Sequence, residues 1–319
     1  MSDKKILLET KDLKKFFHTP CGELHAVDGV NIQIAEGETL GVVGESGCGK
    51  STLGRSILRL SEPNSGQVLF NGRDILKCNK REMQKMRSEM QIIFQDPYAS
   101  LNPRMTVSET IAQPLQVNKV CSGKANVEKR VAELMDTVGL ASRLYNAYPH
   151  ELDGGRRQRI GIARALALDS KFIVCDEPVS ALDVSIQAQI LNLLMDLQEE
   201  RDLTYMFITH NLSVVKHISN VIMVMYLGQC IEKADRRELF DNPLHPYTQA
   251  LLDAIPVPKL QSRNKTRKSI KGEIMSSVDP LPGCRFAPRC PRATEKCMDH
   301  DIPLKNVSEN HQVACVLFD

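Results

Sequence analysis

Residues 6–34 alternate apolar and polar positions around two turn signals, Cys21-Gly22 and Asp28-Gly29, a pattern that predicts β-strands. Thr39–Val43 reads as a short buried strand that runs straight into a glycine-rich turn. From Gly49 onward, Leu53, Ile57 and Leu60 recur at helical spacing. Gln67–Phe70, closed by Asn71-Gly72, is a strand and turn, and Met90–Phe94 is a further strand. The pattern from Asp96 to about Leu168 is mostly helical. Phe172–Cys175 and Tyr205–Ile208 are buried strands separated by a helix over Ile186–Glu199. Strands alternating with helices predict an α/β fold with a mainly parallel sheet. Near Pro243 the character changes to a Pro-rich stretch, then the basic run KLQSRNKTRKSIKG, then a cysteine-rich tail. The expected division is therefore residues 1–243 as one domain and 244–319 as an extension.

Composition narrows the class. A chain of 319 residues with 42% apolar residues can fill a sizeable core, and a net charge of +2 gives no global field toward nucleic acid. The basic run reads as a solvated tether. The opening MSDKKILLET has no apolar signal core, so secretion is not expected. The longest apolar run, Val221–Leu227, is far short of the ~20 residues a spanning helix needs. The ten cysteines sit in a chain too long for a disulfide scaffold, and a reducing compartment is the better reading.

The candidate chemistry begins at Gly44, Glu45, Ser46, Gly47, Cys48, Gly49, Lys50, Ser51 and Thr52. Two glycines five positions apart, followed by Lys-Ser between a strand and a helix, make the phosphate-loop pattern in its required context. Glycines let backbone N–H groups turn inward, and the helix N-terminus adds partial positive charge. Lys50 would neutralise phosphate oxygens and the Ser51 hydroxyl would bind Mg²⁺. Cys48 reads as a space-filler of the loop. A second acidic element, Asp176-Glu177, ends an apolar strand, where α/β sheets gather ligands. Asp176 suits the metal and Glu177 suits orienting or activating a water. His210 ends the strand YMFITH, and Gln95 follows the strand at Met90–Phe94, within reach of metal or water.

These strings, with IIFQDPYASLNPRMTV, FIVCDEPVSALDVSIQAQILNLL and GCRFAPRCP, resemble the ATPase subunits of ABC transporters. More narrowly, the whole chain resembles the F-type subunit of dipeptide and oligopeptide importers. The resemblance implies a P-loop NTPase fold: a RecA-like core, an antiparallel β subdomain, a helical signature subdomain and a small Cys-rich C-terminal extension. It assigns Phe17 to adenine stacking, with Phe16 as fallback, and Gln95 to the Q-loop. It makes Asp176 the metal site with Ser51 and Gln95, Glu177 the base, and His210 the switch histidine. Ser180, Ala181, Leu182 and Asp183 would form the D-loop. The implied partners are a second ATPase subunit, two permease subunits and an extracellular binding protein, with no nucleic acid. The implied location is the cytoplasmic face of the cell membrane, held peripherally by the permeases. The competing readings are a soluble ABC ATPase acting on nucleic acid or ribosomes, and one with a regulatory or redox role. The first usually has tandem ATPase domains or long coiled coils, and this chain has one phosphate loop and no sustained heptads.

Two positions depart from the family pattern. Asn211 follows the switch histidine where Asp is frequent. The signature, usually LSGGQ or FSGGQ, reads Leu152, Asp153, Gly154, Gly155, Arg156. In the family the signature opens a helix that faces phosphate bound by the partner subunit. Asp caps a helix about as well as Ser, but an ionised carboxylate only accepts hydrogen bonds. At about 4 Å it repels a phosphate charge by roughly 1 kcal/mol in water and about 4 kcal/mol at an effective dielectric of 20. The helix dipole offsets only about 0.3–1 kcal/mol, and Arg156 and Arg157 are candidates to compensate further. The expectation is an asymmetric heterodimer, with a competent site at this chain's own loop and a weakened one at its signature.

In the tail, Cys284, Cys290, Cys297 and Cys315 are separated by five, six and seventeen residues. Four thiolates suit zinc or an iron–sulfur cluster, and the absence of Cys-x-x-Cys pairs tilts the reading toward iron–sulfur. The family resemblance points to a 4Fe–4S cluster, with Zn²⁺ as the alternative and His300 and His311 as spare ligands.

Overall fold

The computed structural model describes residues 5–254 and 276–318, so the basic run at 259–272 lies outside the described residues. The chain opens with β1 (Ile6–Thr19), β2 (Gly22–Ala35) and β3 (Thr39–Val43), then α1 (Lys50–Ile57), β4 (Ser65–Phe70) and β5 (Arg73–Asp74). Next come α2 (Lys80–Glu89), β6 (Met90–Ile93), α3 (Val107–Val117), α4 (Lys124–Thr137) and α5 (Gly154–Leu166). They are followed by β7 (Phe172–Asp176), α6 (Val184–Arg201), β8 (Thr204–Ile208), α7 (Leu212–Ile218), β9 (Val221–Tyr226) and β10 (Gln229–Asp235). The rest are α8 (Arg236–Asp241), α9 (Pro246–Asp253), α10 (Lys296–Asp299), β11 (Lys305–Ser308) and β12 (His311–Val313).

The chain divides into two compact units. One takes in Ala35–Glu38 and Lys77–Ile208, and the other takes in Ile6–Ile34, Thr39–Leu76 and the described residues from Thr209 onward. In the first unit β7 runs parallel to both β6 and β8, pairing Met90 with Phe172 and Asp176 with Ile208. All residues of β7 and β8 are buried, which is why their sequences are continuous apolar runs rather than alternating ones. The helices of this unit start on strong local signals. Capping boxes open α2 (Asn79 with Glu82) and α3 (Thr106 with Glu109), and the Asp153 side chain opens α5.

In the second unit the strand order β2-β1-β4-β5 forms one sheet among the described residues. The other strands run in the order β3-β9-β10-β12-β11. β3 and β9 are parallel (Leu40 with Val221, Val43 with Val224), while β9–β10, β10–β12 and β11–β12 are antiparallel. The sheet of this unit is thus mixed rather than mainly parallel. The cause is the tight turn at Leu227 and Gly228, both at positive φ (42° and 85°), which folds β10 straight back on β9. Val221–Leu227, the longest apolar run, supplies the buried β9. No helix among the described residues is long and apolar enough to cross a membrane.

Two local expectations are corrected. Asp28-Gly29 is not a turn: β2 continues through it, with Gly29 at φ +69° taking up the bend. Leu60 is not on the buried face of α1. The helix ends at Ile57, Arg59 flips to φ 52°, and Leu60 is half exposed.

Candidate functional site

The glycine-rich loop and the acidic strand end belong to different units, and each stands on its own geometry. β3 delivers Val43 into the loop and α1 begins at Lys50. Gly44 has φ +156°, and a Cβ there would lie 2.2 Å from the Met225 carbonyl oxygen. Gly49 has φ +100°, and its Cβ would lie 1.9 Å from the Ala26 carbonyl oxygen. Both obstacles are backbone, so only glycine fits at either end. Gly47, at φ +80°, faces open space. The buried Lys50 Nζ donates to the Gly44 and Glu45 carbonyls, each at 2.9 Å, and the Cys48 N–H donates to the Glu45 carbonyl at 3.3 Å. The loop is therefore wound around its own lysine. Gly49 caps α1 with no side chain, leaving the positive end of the helix at the mouth of the loop. A glycine-lined cradle, a lysine and a helix N-terminus fit a polyphosphate. Burial pushes the Cys48 thiol up, with Lys50 opposing, so Cys48 is a neutral filler there.

Ser51 and Thr52 are half-buried in the first turn of α1, and Ser46 is exposed. Phe16 is stacked on His25 with ring centroids 3.9 Å apart, whereas Phe17 is exposed with Lys15 Nζ 4.8 Å above its ring. His210 is exposed just after Thr209, whose N–H donates to the Val42 carbonyl at 3.1 Å. Asn211 caps α7, its side chain accepting from the Ser213 N–H at 2.9 Å.

At the acidic end, Asp176 is fully buried as the last residue of β7. Glu177 leaves the strand at φ +47°, a conformation a non-glycine residue holds only when its surroundings over-determine it. Its N–H donates to the Ile208 carbonyl at 2.9 Å, and its carbonyl accepts from the Ser180 N–H at 3.3 Å and Oγ at 3.1 Å. The Gln95 amide donates to Glu177 Oε2 at 3.1 Å. The fold thus joins the predicted water-positioning pair, and it anchors Ser180 to the Glu177 backbone. Ala181 and Asp183 are exposed and Leu182 is half-buried, leading into α6.

The signature residues sit at the head of α5. Asp153 Oδ1 accepts from the Arg156 N–H at 2.8 Å, and Arg156 Nε lies 3.4 Å from Oδ2. Arg157 goes elsewhere, donating to the Pro149 carbonyl at 2.7 Å with its guanidinium 5.0 Å from the Tyr98 ring centroid. Of the two candidate arginines, only Arg156 pairs with Asp153. A cavity of about 310 Å³ opens beside them, lined in part by Arg143, Asp153, Arg156 and Arg159. Gly155 packs where a Cβ would lie 2.7 Å from Ile186 Cγ2.

The expected 4Fe–4S or zinc centre in the tail gains no support from the structure. Among the described residues no group of three or more His, Cys, Asp and Glu side chains could hold a metal ion. None of Cys284, Cys290, Cys297 and Cys315 forms a disulfide among the described residues. Burial pushes the Cys284 thiol up to about 11 and raises Cys290 as well. Cys290 and Cys297 sulfurs instead accept from the Arg292 and Thr294 N–H groups, both at 3.4 Å. His311, a spare ligand candidate, is committed to Glu232 at 2.7 Å.

Sequence reasoning missed three residues of the nucleotide loop's surroundings. Tyr247 Oη accepts from the Glu45 N–H at 2.9 Å, and Arg289 contacts both Glu45 carboxylate oxygens and the Tyr226 hydroxyl. Arg289 lies in GCRFAPRCP, Tyr247 in the Pro-rich stretch and Tyr226 in the apolar run Val221–Leu227, and none of these strings is a phosphate-site pattern.

Residues 27–180 match the ABC transporter family, and residues 231–297 match the C-terminal region of oligopeptide/dipeptide transporters. The oligopeptide transport ATP-binding protein AppF of Bacillus subtilis is 48% identical, over 99% of each chain. The oligopeptide transport ATP-binding protein OppF of Escherichia coli is 50% identical, over 100% of this chain and 96% of its own. The dipeptide transport ATP-binding protein DppF of Haemophilus influenzae is 48% identical, over 98% and 97%. Among solved structures, the ATP-binding cassette MJ0796, a dimer in a post-hydrolysis state with ADP and Pi, superposes with a TM-score of 0.67 at 30% identity. That alignment covers 72% of this chain and 99% of MJ0796. The cbiO1 subunit from Clostridium perfringens gives 0.66 at 27% identity, covering 75% and 92%.

Proposed function

The chain belongs to the ABC transporter family of ATP-binding subunits, and from that premise we propose that it powers an importer of di- or oligopeptides in partnership with a second, different ATPase subunit. The observation that carries the substrate class is likeness along the whole chain. Relatives named for oligopeptide and dipeptide transport are about half identical from end to end, and the oligopeptide-transporter region is matched at 231–297. Two permease subunits and an extracellular binding protein complete the assembly, which holds this chain at the cytoplasmic membrane face. Residues 1–243 form the ATPase domain, with a RecA-like core, an antiparallel β subdomain and a helical signature subdomain, and 244–319 form the extension. The regulatory or redox alternative is not favoured, because the relatives that match along the whole chain are named for oligopeptide and dipeptide transport.

In this reading Gly44–Thr52 holds the phosphates through backbone N–H groups and Lys50, while Phe17 offers its exposed ring to the adenine. Ser51, Asp176 and Gln95 would hold Mg²⁺, which supplies charge neutralisation at the phosphate oxygens. Glu177 accepts the proton of the attacking water at its carboxylate, with Gln95 and His210 orienting the reacting groups. The Gln95–Glu177 hydrogen bond supports that pairing. The Ser180 contacts to the Glu177 backbone link the D-loop to the base. Asp153 lowers the quality of the signature offered to the partner's nucleotide, and its single compensating pair with Arg156 supports an unequal dimer.

Co-expression with candidate permease and ATPase subunits from the same organism and purification in detergent test the assignment. The expected result is a complex containing this chain, a second ATPase subunit and two membrane subunits, with ATP turnover stimulated by peptide-loaded binding protein. A chain that purifies alone, with turnover indifferent to peptide, overturns the transport reading.

A further inference from the structure

We propose that Cys284–Cys290 of the C-terminal extension is a two-point brace on the nucleotide loop, and that Arg285 and Arg289 are positioning residues for ATP. The inference rests on the reading of Gly44–Thr52 as the ATP site.

Arg289 holds the entry to the loop. Its guanidinium takes Glu45 in a fork, Nη1 to Oε2 at 2.8 Å and Nη2 to Oε1 at 3.2 Å, with Nη1 also donating to the Tyr226 hydroxyl at 3.2 Å. The Arg289 side chain is only 6% exposed and the Glu45 side chain 21%. A two-bond charged pair so shielded from water fixes geometry far better than a surface pair does. The backbone of Glu45 is held as well. Its N–H donates to Tyr247 Oη at 2.9 Å, and its carbonyl receives Lys50 Nζ at 2.9 Å. The position of Glu45 therefore sets where the phosphate-binding lysine rests. Tyr226, Tyr247 and Phe286 are fully buried and meet edge to face with centroids 4.7–5.3 Å apart, so the platform behind Glu45 is rigid.

Arg285 holds the exit. It donates to the Asp28 carboxylate and to the Leu227 carbonyl. The Asp28 N–H donates to the Gly228 carbonyl, and the Gly228 N–H donates to the Cys48 carbonyl, each at 2.9 Å. Gly49 packs against Ala26 so closely that a Cβ would lie 1.9 Å from its carbonyl oxygen. Arg285 thus fixes the strand edge and hairpin that Cys48 and Gly49 lean on. Four residues apart in sequence, the two arginines grip the two ends of one loop.

The test is Mg-ATP binding to the full chain by titration calorimetry, with the nucleotide-free melting temperature measured in parallel. Arg289→Met and Glu45→Gln should each weaken ATP binding about 5–20-fold, part of the value of one charge-assisted hydrogen bond. The double variant should be no weaker than the worse single one, because both remove the same contact. Arg289→Lys, which keeps the charge but not the fork, should fall between Arg289→Met and the wild type. In the assembled transporter Arg289→Lys should raise the KM for ATP while kcat stays within about twofold, a split that simple loss of fold does not give. Should Arg289→Met fail to fold, Glu45→Gln and Arg289→Lys decide the matter. Unchanged ATP affinity in these variants, or effects that add in the double variant, overturns the brace and leaves the ATP site standing. A wild-type chain that takes up no Mg-ATP overturns both.

Discussion

The Gln95 side-chain amide donates to the Glu177 carboxylate at 3.1 Å, joining the second residue after β6 to the first residue after β7. Glu177 is held in a left-handed conformation at φ +47°, so the fold fixes its carboxylate rather than leaving it to a flexible loop. Glu177→Gln keeps size and hydrogen bonding but cannot accept a proton. Hydrolysis by the assembled transporter should fall about 10²–10⁴-fold, with ATP affinity nearly unchanged. Gln95→Ala should cost less, because it loosens the carboxylate without removing it. Phosphate release beside equilibrium ATP binding checks both; parallel loss of binding in Glu177→Gln would mean that the acid acts in nucleotide affinity.

Asp153 is a good cap and a poor phosphate donor at once. Its Oδ1 satisfies the Arg156 N–H and its Oδ2 lies near Arg156 Nε, so α5 begins soundly. Asp153→Ser should leave unfolding free energy within about 0.5 kcal/mol, while Asp153→Ala should cost about 1 kcal/mol by loss of the cap. Turnover of the assembled complex should rise at least several-fold in Asp153→Ser, since even ~1 kcal/mol of relieved repulsion is worth about fivefold. The unequal dimer makes a sharper claim. Glu177→Gln in this chain should abolish most turnover, and removing the partner's equivalent acid should spare most of it. The reverse pattern would assign the working site to the other subunit.

Local patterns that obey one rule at a time were readable from the chain. β3, β7 and β8 are continuous apolar runs, and the phosphate loop announces itself because its glycines have no substitute. What could not be read depended on partners far apart in sequence. Arg289 and Glu45 are 244 residues apart, and no spacing rule joins them. For the four tail cysteines, ligand type was legible in the sequence and their arrangement in space was not. The Cys284 N–H donates to the Cys297 carbonyl at 2.7 Å, a contact that no spacing rule foretells. Asp28-Gly29 failed as a turn because glycine also serves a bend within a strand.

Gly49 and Gly47 make a matched pair for the loop. Gly49→Ala meets the Ala26 carbonyl at 1.9 Å, an obstacle of backbone that cannot rotate aside. It should destabilise the chain by more than about 3 kcal/mol or abolish ATP binding outright, as steric strain adds to the cost of its positive φ. Gly47→Ala meets nothing within 4 Å at φ +80°, and should cost only about 1–2 kcal/mol. Denaturant unfolding with calorimetric ATP binding distinguishes them. Equal costs would show that conformation rather than contact governs the loop.

Glu232 gathers the last prediction. Fully buried in β10, its carboxylate accepts from the Leu244 N–H at 2.7 Å, the His245 N–H at 3.0 Å and His311 Nε2 at 2.7 Å, while His311 Nδ1 lies 3.5 Å from Glu238. Burial works against the charged form of His311, but the bond and charge of Glu232, aided by Glu238, raise it above its ordinary value. Burial takes His245 down to about 4, with Glu232 opposing. The signs are opposite. The stabilisation from His311 is complete below its unfolded pKa of about 6.5 and is lost as pH rises through the folded value. The stabilisation from neutral His245 is complete above about 6.5 and is lost as pH falls toward about 4. The cluster should therefore be most stable near pH 6.5, with neither limb steeper than about 1.4 kcal/mol per pH unit. His311→Asn should lower stability at pH 6 and flatten the alkaline limb, leaving the acid limb intact. Amide exchange across β10 and β12 between pH 5 and 9 reads this directly. An alkaline limb that persists in His311→Asn would assign the titration to another group.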